Sequence, residues 1–205
     1  MDPNRLEQTI YNLRQNGFQV HLFKNTADAR EAILQQIPLS ATVGFGGSMT
    51  LFDMGIYEAL EARGNSAFWH WHEKPGHHRK EVLRSAACAD IYLSGINAIT
   101  EEGRLINIDG NGNRLSGILY GHDRTILVAG VNKIVKNYEE ALIRIKNIAC
   151  PPNARRLGRK TPCAETGSCM NCSSPDRICT ATLILDRQPG GVPIEIFLVE
   201  ETLGY

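Results

Sequence analysis

The chain has 205 residues, 42% of them hydrophobic and 21% charged, and its basic and acidic residues balance to a formal net charge of zero. That composition fits a globular fold with a sizeable core, and the lack of a charge excess argues against nucleic acid or a membrane surface as a partner. No apolar run approaches the roughly 18 residues of a membrane span, and the polar start, Met1-Asp2-Pro3-Asn4-Arg5, predicts no signal peptide, so the cytoplasm is the expected compartment.

Leu6, Ile10 and Leu13 at helical spacing predict a helix over 4–16, closed by Gly17. Phe18–Phe23 alternates as a strand, with His21 on its polar phase. Asn25-Thr26-Ala27-Asp28 starts a second helix, carried by Ala29, Ile33 and Ile37 up to Pro38. Ala41–Phe45 is the next strand, 48–63 the next helix, Ala67–Trp71 a short strand, 78–87 a helix and Asp90–Leu93 a strand. Glu102-Gly103 predicts a hairpin turn between two short strands, and Asp109-Gly110-Asn111-Gly112 a further turn. A short helix over Leu115–Leu119 and the apolar strand Arg124–Val131 follow. Tyr138–Ile148 is amphipathic, with Ala141, Leu142, Ile145 and Ile148 on one side, and Pro151-Pro152 stops it. From Pro151 to about Thr180, Pro, Gly, Ser, Arg and Cys displace hydrophobic periodicity. The strands Ala181–Leu185 and Ile194–Glu200 close the pattern. Strands alternating with helices predict one α/β domain over 1–205, with a mainly parallel sheet flanked by helices and residues 151–180 as a Cys-rich excursion. The hydrophobic last strands are candidates for a homo-oligomer interface.

Ligands of such sheets bind beyond the carboxyl ends of the strands. Gly46–Thr50, Gly95–Thr100 and Gly130–Lys133 are expected to meet there. In Val43-Gly44-Phe45-Gly46-Gly47-Ser48-Met49-Thr50 an apolar strand gives way to glycines and a helix start, which suits a phosphate or carboxylate. It equally suits an ordinary tight turn with Ser48 as helix cap. The second loop crowds Asn97, Thr100, Glu101, Asn107, Asp109, Asn113 and Arg114 into 18 residues. Turn formation accounts for Asp109 and Asn111. Glu101 is a candidate general base or nucleophile, and Arg114 either a candidate anion clamp or a partner for Asp109. Asn132 and Lys133 follow a buried-looking strand, where Lys133 can point to the same edge or stand as an ordinary solvent-exposed lysine. The expected ligand set for a small anionic metabolite is therefore Gly46, Gly47, Ser48, Thr50, Asn97, Thr100, Asn107, Asp109, Arg114 and Asn132, with Glu101 and Lys133 as catalytic candidates.

Two further clusters carry metal-type side chains. On a strand, Trp69-His70-Trp71-His72 puts both His on one face, as metal ligands, an acid–base pair or a plain solvated face, and Glu73 and His77-His78 are near enough in sequence to join a metal site. Cys163, Cys169, Cys172 and Cys179 lie within 17 residues around a C-x2-C step. They suit zinc or an iron–sulfur cluster, with a disulfide or redox thiols as the rival reading and free structural thiols as the plain one. Arg155, Arg156, Arg159 and Lys160 just upstream would lower thiol pKa and favour ligation. Cys88 reads as a small buried residue, and Cys150 ends a helix where it could add a ligand.

Several of these segments together resemble the LUD domain, the family of lactate utilization proteins. They are Gly44–Thr50, Asp90–Gly103 with its Ser-Gly-Ile-Asn97-Ala-Ile-Thr100-Glu101 core, Asn107–Arg114, Gly130–Val135, Pro151–Ala154 and Glu200–Tyr205. The Cys loop is similar to the version carried by one branch of that family. The resemblance implies a fold similar to the phosphosugar isomerase, coenzyme A transferase and formyltetrahydrofolate cyclo-ligase group. It further implies a glycine-rich loop that holds an anionic substrate and a carboxylate near a second loop that does the chemistry. It also implies a link to oxidation of lactate or similar acids, with redox clusters carried by partner subunits.

Overall fold

The computed structural model describes residues 2–72, 76 and 78–205. Glu73 and His77, two of the residues grouped with His70 and His72 above, lie outside them.

Local signals place the first elements. Asp2 accepts the Asn4 N–H and Pro3 opens α1 (Pro3–Gln15), which buries Leu6, Ile10 and Leu13. After β1 (Gln19–Phe23), Asn25 caps α2 (Thr26–Gln36) by accepting the Asp28 N–H. Next come β2 (Thr42–Phe45), α3 (Met49–Asp53), α4 (Ile56–Ala62), β3 (Ser66–Phe68), α5 (Arg79–Ala87) and β4 (Ile91–Gly95). The hairpin β5 (Ala98–Thr100) and β6 (Leu105–Asp109) leads to α6 (Asn113–Leu119), β7 (Arg124–Gly130), a 3-10 turn over Val131–Lys133 and β8 (Ile134–Val135). α7 (Tyr138–Arg144), a π-helical segment (Ile145–Ala149), α8 (Cys150–Arg156), α9 (Pro162–Thr166), β9 (Ala181–Leu185) and β10 (Ile194–Val199) complete the chain.

The central sheet is wholly parallel, in the order β1-β10-β7-β4-β2-β3. Its inner strands are buried on both faces, which is why β7 and β10 read as unbroken apolar runs. On one face α2, α3 and α4 bring Ala29, Ile33, Leu51, Ile56 and Leu60 onto Val43, Phe45 and Leu93. On the other, α1 and α6 bring Leu6, Ile10, Leu13 and Ile118 onto Leu127, Ile196 and Leu198. A mixed sheet, β8-β5-β6-β9, stands beside it, and α7 packs Ala141 and Ile145 onto Ala98, Ile106 and Ile108. Among the described residues no helix is long and apolar enough to cross a membrane.

The α/β class with a mainly parallel sheet is as expected, and four local expectations are corrected. The helix expected over 48–63 is two helices, because Gly55 takes a left-handed φ of 61° between them. Strand β3 stops at Phe68, so His70 and His72 do not share a strand face: Trp69 is sunk between Phe45 and Trp71, and His72 stacks on Tyr57. Pro151-Pro152 does not end the helical run. The prolines occupy the first turn of α8, where a missing N–H costs nothing, and the wide π turn ahead of them absorbs the change of register. Of the two last strands, β10 is buried between β1 and β7, and β9 lies half-exposed at the edge of the mixed sheet. Cys88, expected buried, is exposed at the end of α5.

Candidate functional site

The chain leaves β2 toward β3 on one side and leaves β4 toward β7 on the other. Neighbouring strands β2 and β4 therefore send their connections to opposite faces and open a crevice at their carboxyl ends, the switch point where ligands of parallel sheets bind. A cavity of about 380 Å³ lies there. Gly47, Ser48 and Thr50 line it from the β2 loop, Gly95 and Asn97 from the β4 loop, Asp109 and Arg114 from the second turn, and Lys133 from the end of β7.

Close backbone packing holds these loops together. A Cβ on Gly95 would stand 2.6 Å from Ser48 Oγ, and one on Gly46 would stand 2.9 Å from the Arg114 Cγ. Ser48 Oγ accepts the Leu51 N–H at 3.3 Å, so its hydroxyl caps α3. At five residues, α3 adds little dipole of its own. Asn97 Oδ1 accepts from the Ile108 N–H at 2.9 Å and from Arg114 Nη2 at 2.8 Å, and Arg114 Nη2 also donates to the Ile108 carbonyl at 2.6 Å. Lys133 Nζ donates to Thr50 Oγ1 at 3.0 Å, which joins the β7 end to the β2 loop.

The field inside is positive. Arg79, Arg114, Lys133, Arg156, Arg159 and Arg177 line the cavity, with Asp109 and Asp176 as the carboxylate side chains among them. Asp109 Oδ1 is 3.7 Å from Arg114 Nε, and its Oδ2 accepts the Gly112 N–H at 2.7 Å. Arg156 lies 4.3 Å over the Trp71 ring. Burial pushes the Lys133 amine down to about 7, and the Arg144 and Arg114 guanidinium groups push in the same direction against Asp53. His70 is likewise held down to about 4, first by burial and then by Arg79 and Arg156, with Asp109 opposing. Its Nδ1 is buried without a partner among the described residues.

The His70 shift has a direct consequence for stability. Its folded value lies below the unfolded 6.5, so between about 4 and 6.5 the unfolded chain binds more protons. Stability is gained as pH rises through that window and lost as it falls. In urea titrations at both ends of the window, His70→Gln is expected to flatten the acid-side fall relative to the parent chain; an unchanged slope would exclude His70 as its source.

Other expected residues serve the frame. Glu101 does not reach the cavity. It sits at the hairpin turn, where it pairs with Arg5 Nε, and its carbonyl accepts from Asn12 Nδ2 at 2.7 Å. The hairpin folds back onto α1, so its acid faces that helix and not the cavity. Thr100 is buried with its Oγ1 accepting the Arg104 N–H, and Asn107 Oδ1 accepts the Asn97 N–H at 3.1 Å. Asn132 Oδ1 accepts the Leu203 N–H at 3.2 Å and ties the following tail down. Gly46, like these, lies behind the cavity wall.

Arg144 escaped the sequence reading. Its Nη1 donates to the Asn97 carbonyl at 2.8 Å and its Nε to the Asn132 carbonyl at 3.2 Å, so one guanidinium latches two of the three loops. The available signal was a cation on the same helical stripe as Ala141 and Ile148. Arg79, Arg156 and Arg177 were also missed as lining residues; they come from segments distant in sequence.

Of the six cysteines, Cys150 lines the cavity. All are free thiols, and among the described residues no three His, Cys, Asp or Glu side chains form a group able to hold a metal. Cys150, on the cavity lining, hydrogen-bonds Cys179, which makes Cys179 the more acidic of the two; Arg177 Nε, 3.2 Å from Cys179 Sγ, adds to this.

The chain is thus an α/β protein whose parallel sheet carries a cation-lined crevice at its switch point. The LUD domain profile matches residues 6–199, and the chain belongs to that family. It is similar in fold to a DUF162 family protein from Deinococcus radiodurans, known from a crystal structure at 1.70 Å resolution. The two are 16% identical, with a TM-score of 0.53 over 96% of each chain. No curated protein matches the sequence.

Proposed function

We propose that this protein binds a small carboxylated or phosphorylated metabolite in the switch-point cavity and acts in the utilization of lactate or another organic acid. One observation carries the reading: six basic side chains surround a cavity of about 380 Å³ that holds two carboxylate side chains. Cations gathered in that way repel one another, and an anion removes the repulsion while gaining charge-assisted hydrogen bonds. The volume suits a small metabolite. Family membership adds the organic-acid context.

Thermal-shift titration tests this with 2-hydroxy acids, phosphosugars and acyl coenzyme A esters against their neutral analogues. A true ligand raises the melting temperature in proportion to the logarithm of its concentration. Arg156→Ala combined with Arg177→Ala is expected to abolish the shift while the unliganded melting temperature holds. If no anion shifts the parent chain, or the double variant responds as the parent does, the cavity is not an anion site.

A second reading is a soft metal or iron–sulfur cluster held by Cys163, Cys169, Cys172 and Cys179, serving electron transfer to a redox partner. It is favoured by proximity: the Cys163, Cys169 and Cys179 sulfurs all act electrostatically on Cys150. Loading would require the loop to draw its thiols together. Elemental analysis of protein purified without oxygen tests it. Iron with sulfide means a cluster, stoichiometric zinc a structural site, and loss of either in Cys172→Ser assigns it to the loop; no metal leaves a thiol loop.

A further inference from the structure

We propose that Lys133 is a carbonyl-reactive nucleophile, an amine that forms an imine with a small anionic oxo compound, such as a 2-oxo acid or a phosphorylated ketone, bound in the cavity. The inference rests on the anion-site reading above and names the chemistry of its ligand.

Geometry is the first support. Lys133 is 4% exposed, yet it lines the cavity. A buried lysine that serves structure is paired with a carboxylate. Here, among the described residues, the ammonium has one hydrogen bond, to Thr50 Oγ1, and no carboxylate within ion-pair distance. The charged groups facing it are Arg144 from α7 and Arg114 from α6, both repelling it, and Asp53 from α3, weakly attracting it. The tail backbone closes over it from the remaining side. A Cβ on Gly204 would stand 2.8 Å from Thr50 Oγ1 and 3.6 Å from Lys133 Nζ, and Asn132 Oδ1 holds the neighbouring Leu203 N–H. That enclosure keeps bulk water from the amine.

Charge is the second support. With its pKa pushed down to about 7, a large share of the amine is neutral near neutral pH, whereas a lysine at the ordinary 10.4 is about one part in a few thousand neutral there. Desolvation together with a second cation is a recognised way to make a lysine nucleophilic. The same guanidinium groups that depress the amine would hold the carboxylate or phosphate of the incoming compound. The anion docks and the carbonyl is left against Nζ.

The step balances without an oxidant or reductant. The neutral Nζ lone pair attacks the carbonyl carbon, the C=O π pair moves to oxygen, and that oxygen takes a proton to give a carbinolamine. Nitrogen sheds a proton, its lone pair forms C=N, and the hydroxyl leaves with a proton as water. Starting from the ammonium, the products are one iminium and one water. The iminium is an electron sink for bonds at the adjacent carbon.

Reductive trapping tests it. The full chain is incubated separately with pyruvate, glyoxylate and dihydroxyacetone phosphate in cyanoborohydride, then mapped by peptide mass spectrometry; lactate and inorganic phosphate are titrated in parallel by thermal shift. The expected result is a single reduced adduct on Lys133, formed about a hundredfold faster at pH 7 than on surface lysines. Its rate should climb with pH and level off above about 7, while surface labelling keeps climbing. Lys133→Met should lose the adduct. Parent protein that binds lactate or phosphate but labels Lys133 no faster than Lys24 or Lys80 would overturn the imine and leave the anion site standing. A neutral aldehyde that traps Lys133 as fast as the oxo acids, with no response to lactate or phosphate, would keep the nucleophile and overturn the anion site.

Discussion

Replacing Gly44 with alanine is expected to lower the unfolding free energy by about 3 kcal/mol and the melting temperature by about 10 °C. Gly44 is in the middle of β2, in a buried run with no turn and no positive φ, so conformational freedom is not its purpose. The reason is contact. An added Cβ would lie 2.1 Å from the Ala86 carbonyl oxygen, 2.9 Å from its carbon and 3.0 Å from its Cα. All three are backbone atoms of α5, and a backbone cannot swing aside as a side chain can. Helix α5 also packs on β3 and α6, so withdrawing it opens gaps elsewhere, and interiors packed to crystal density transmit such shifts. Arg79, the first residue of α5, lines the cavity, so any variant that still folds should also lose anion affinity. Gly64→Ala is the control. Its Cβ meets nothing within 4 Å and carries only the strain of φ +91°, about 1–2 kcal/mol. Urea denaturation compares the two, and equal midpoints would show that α5 does not press on Gly44.

Arg114→Met is expected to weaken anion binding about a hundredfold, against about twofold for the exposed Arg159→Ala. Arg114 is buried and fixed: Nη2 holds Asn97 Oδ1 and the Ile108 carbonyl, and Nε faces Asp109. Because the side chain is buried, its charge is screened less than a surface charge. Methionine keeps much of the volume and removes the donors. The Asn97 loop then loses one of its latches, although Ile108 N–H and Arg144 still hold it, so the fold should persist while the cavity relaxes. Burial drives the Arg114 pKa down, but a guanidinium remains charged across the working range. The direct loss should therefore be independent of pH, and a smaller pH-dependent part should accompany it, because Lys133 relieved of the Arg114 charge keeps its proton to higher pH. Calorimetric titration with an anionic ligand found by thermal shift measures it. A fall no larger than that of Arg159→Ala would remove Arg114 from the binding site.

Elements with a strong local cause were legible in the chain itself. Leu6, Ile10 and Leu13 marked α1, Asn25 marked the start of α2, and Glu102-Gly103 marked the hairpin, whose Gly103 lies at φ +84° against the α1 backbone. Trp69–His72 misled because alternation is also produced by a turn that buries one aromatic and stacks its neighbours. Glu101 misled because sequence distance from the loops said nothing of the way the hairpin folds onto α1 and offers the acid to Arg5. Arg144, Arg156 and Arg177 could not be grouped with Ser48 and Lys133, since they lie in different segments and only the folded chain gathers them.

By itself the sequence determined the alternating strands and helices, the glycine-marked loops and the family, because hydrophobic period, capping and turn chemistry act over a few residues. The tertiary structure alone decided that those loops share one cationic cavity, that Glu101 is turned away from it, and that Lys133 is enclosed with two guanidinium groups and no carboxylate partner among the described residues. Charge, burial and pairing are sums over everything nearby in space, and in this fold the neighbours of Lys133 come from α3, α6, α7 and the tail.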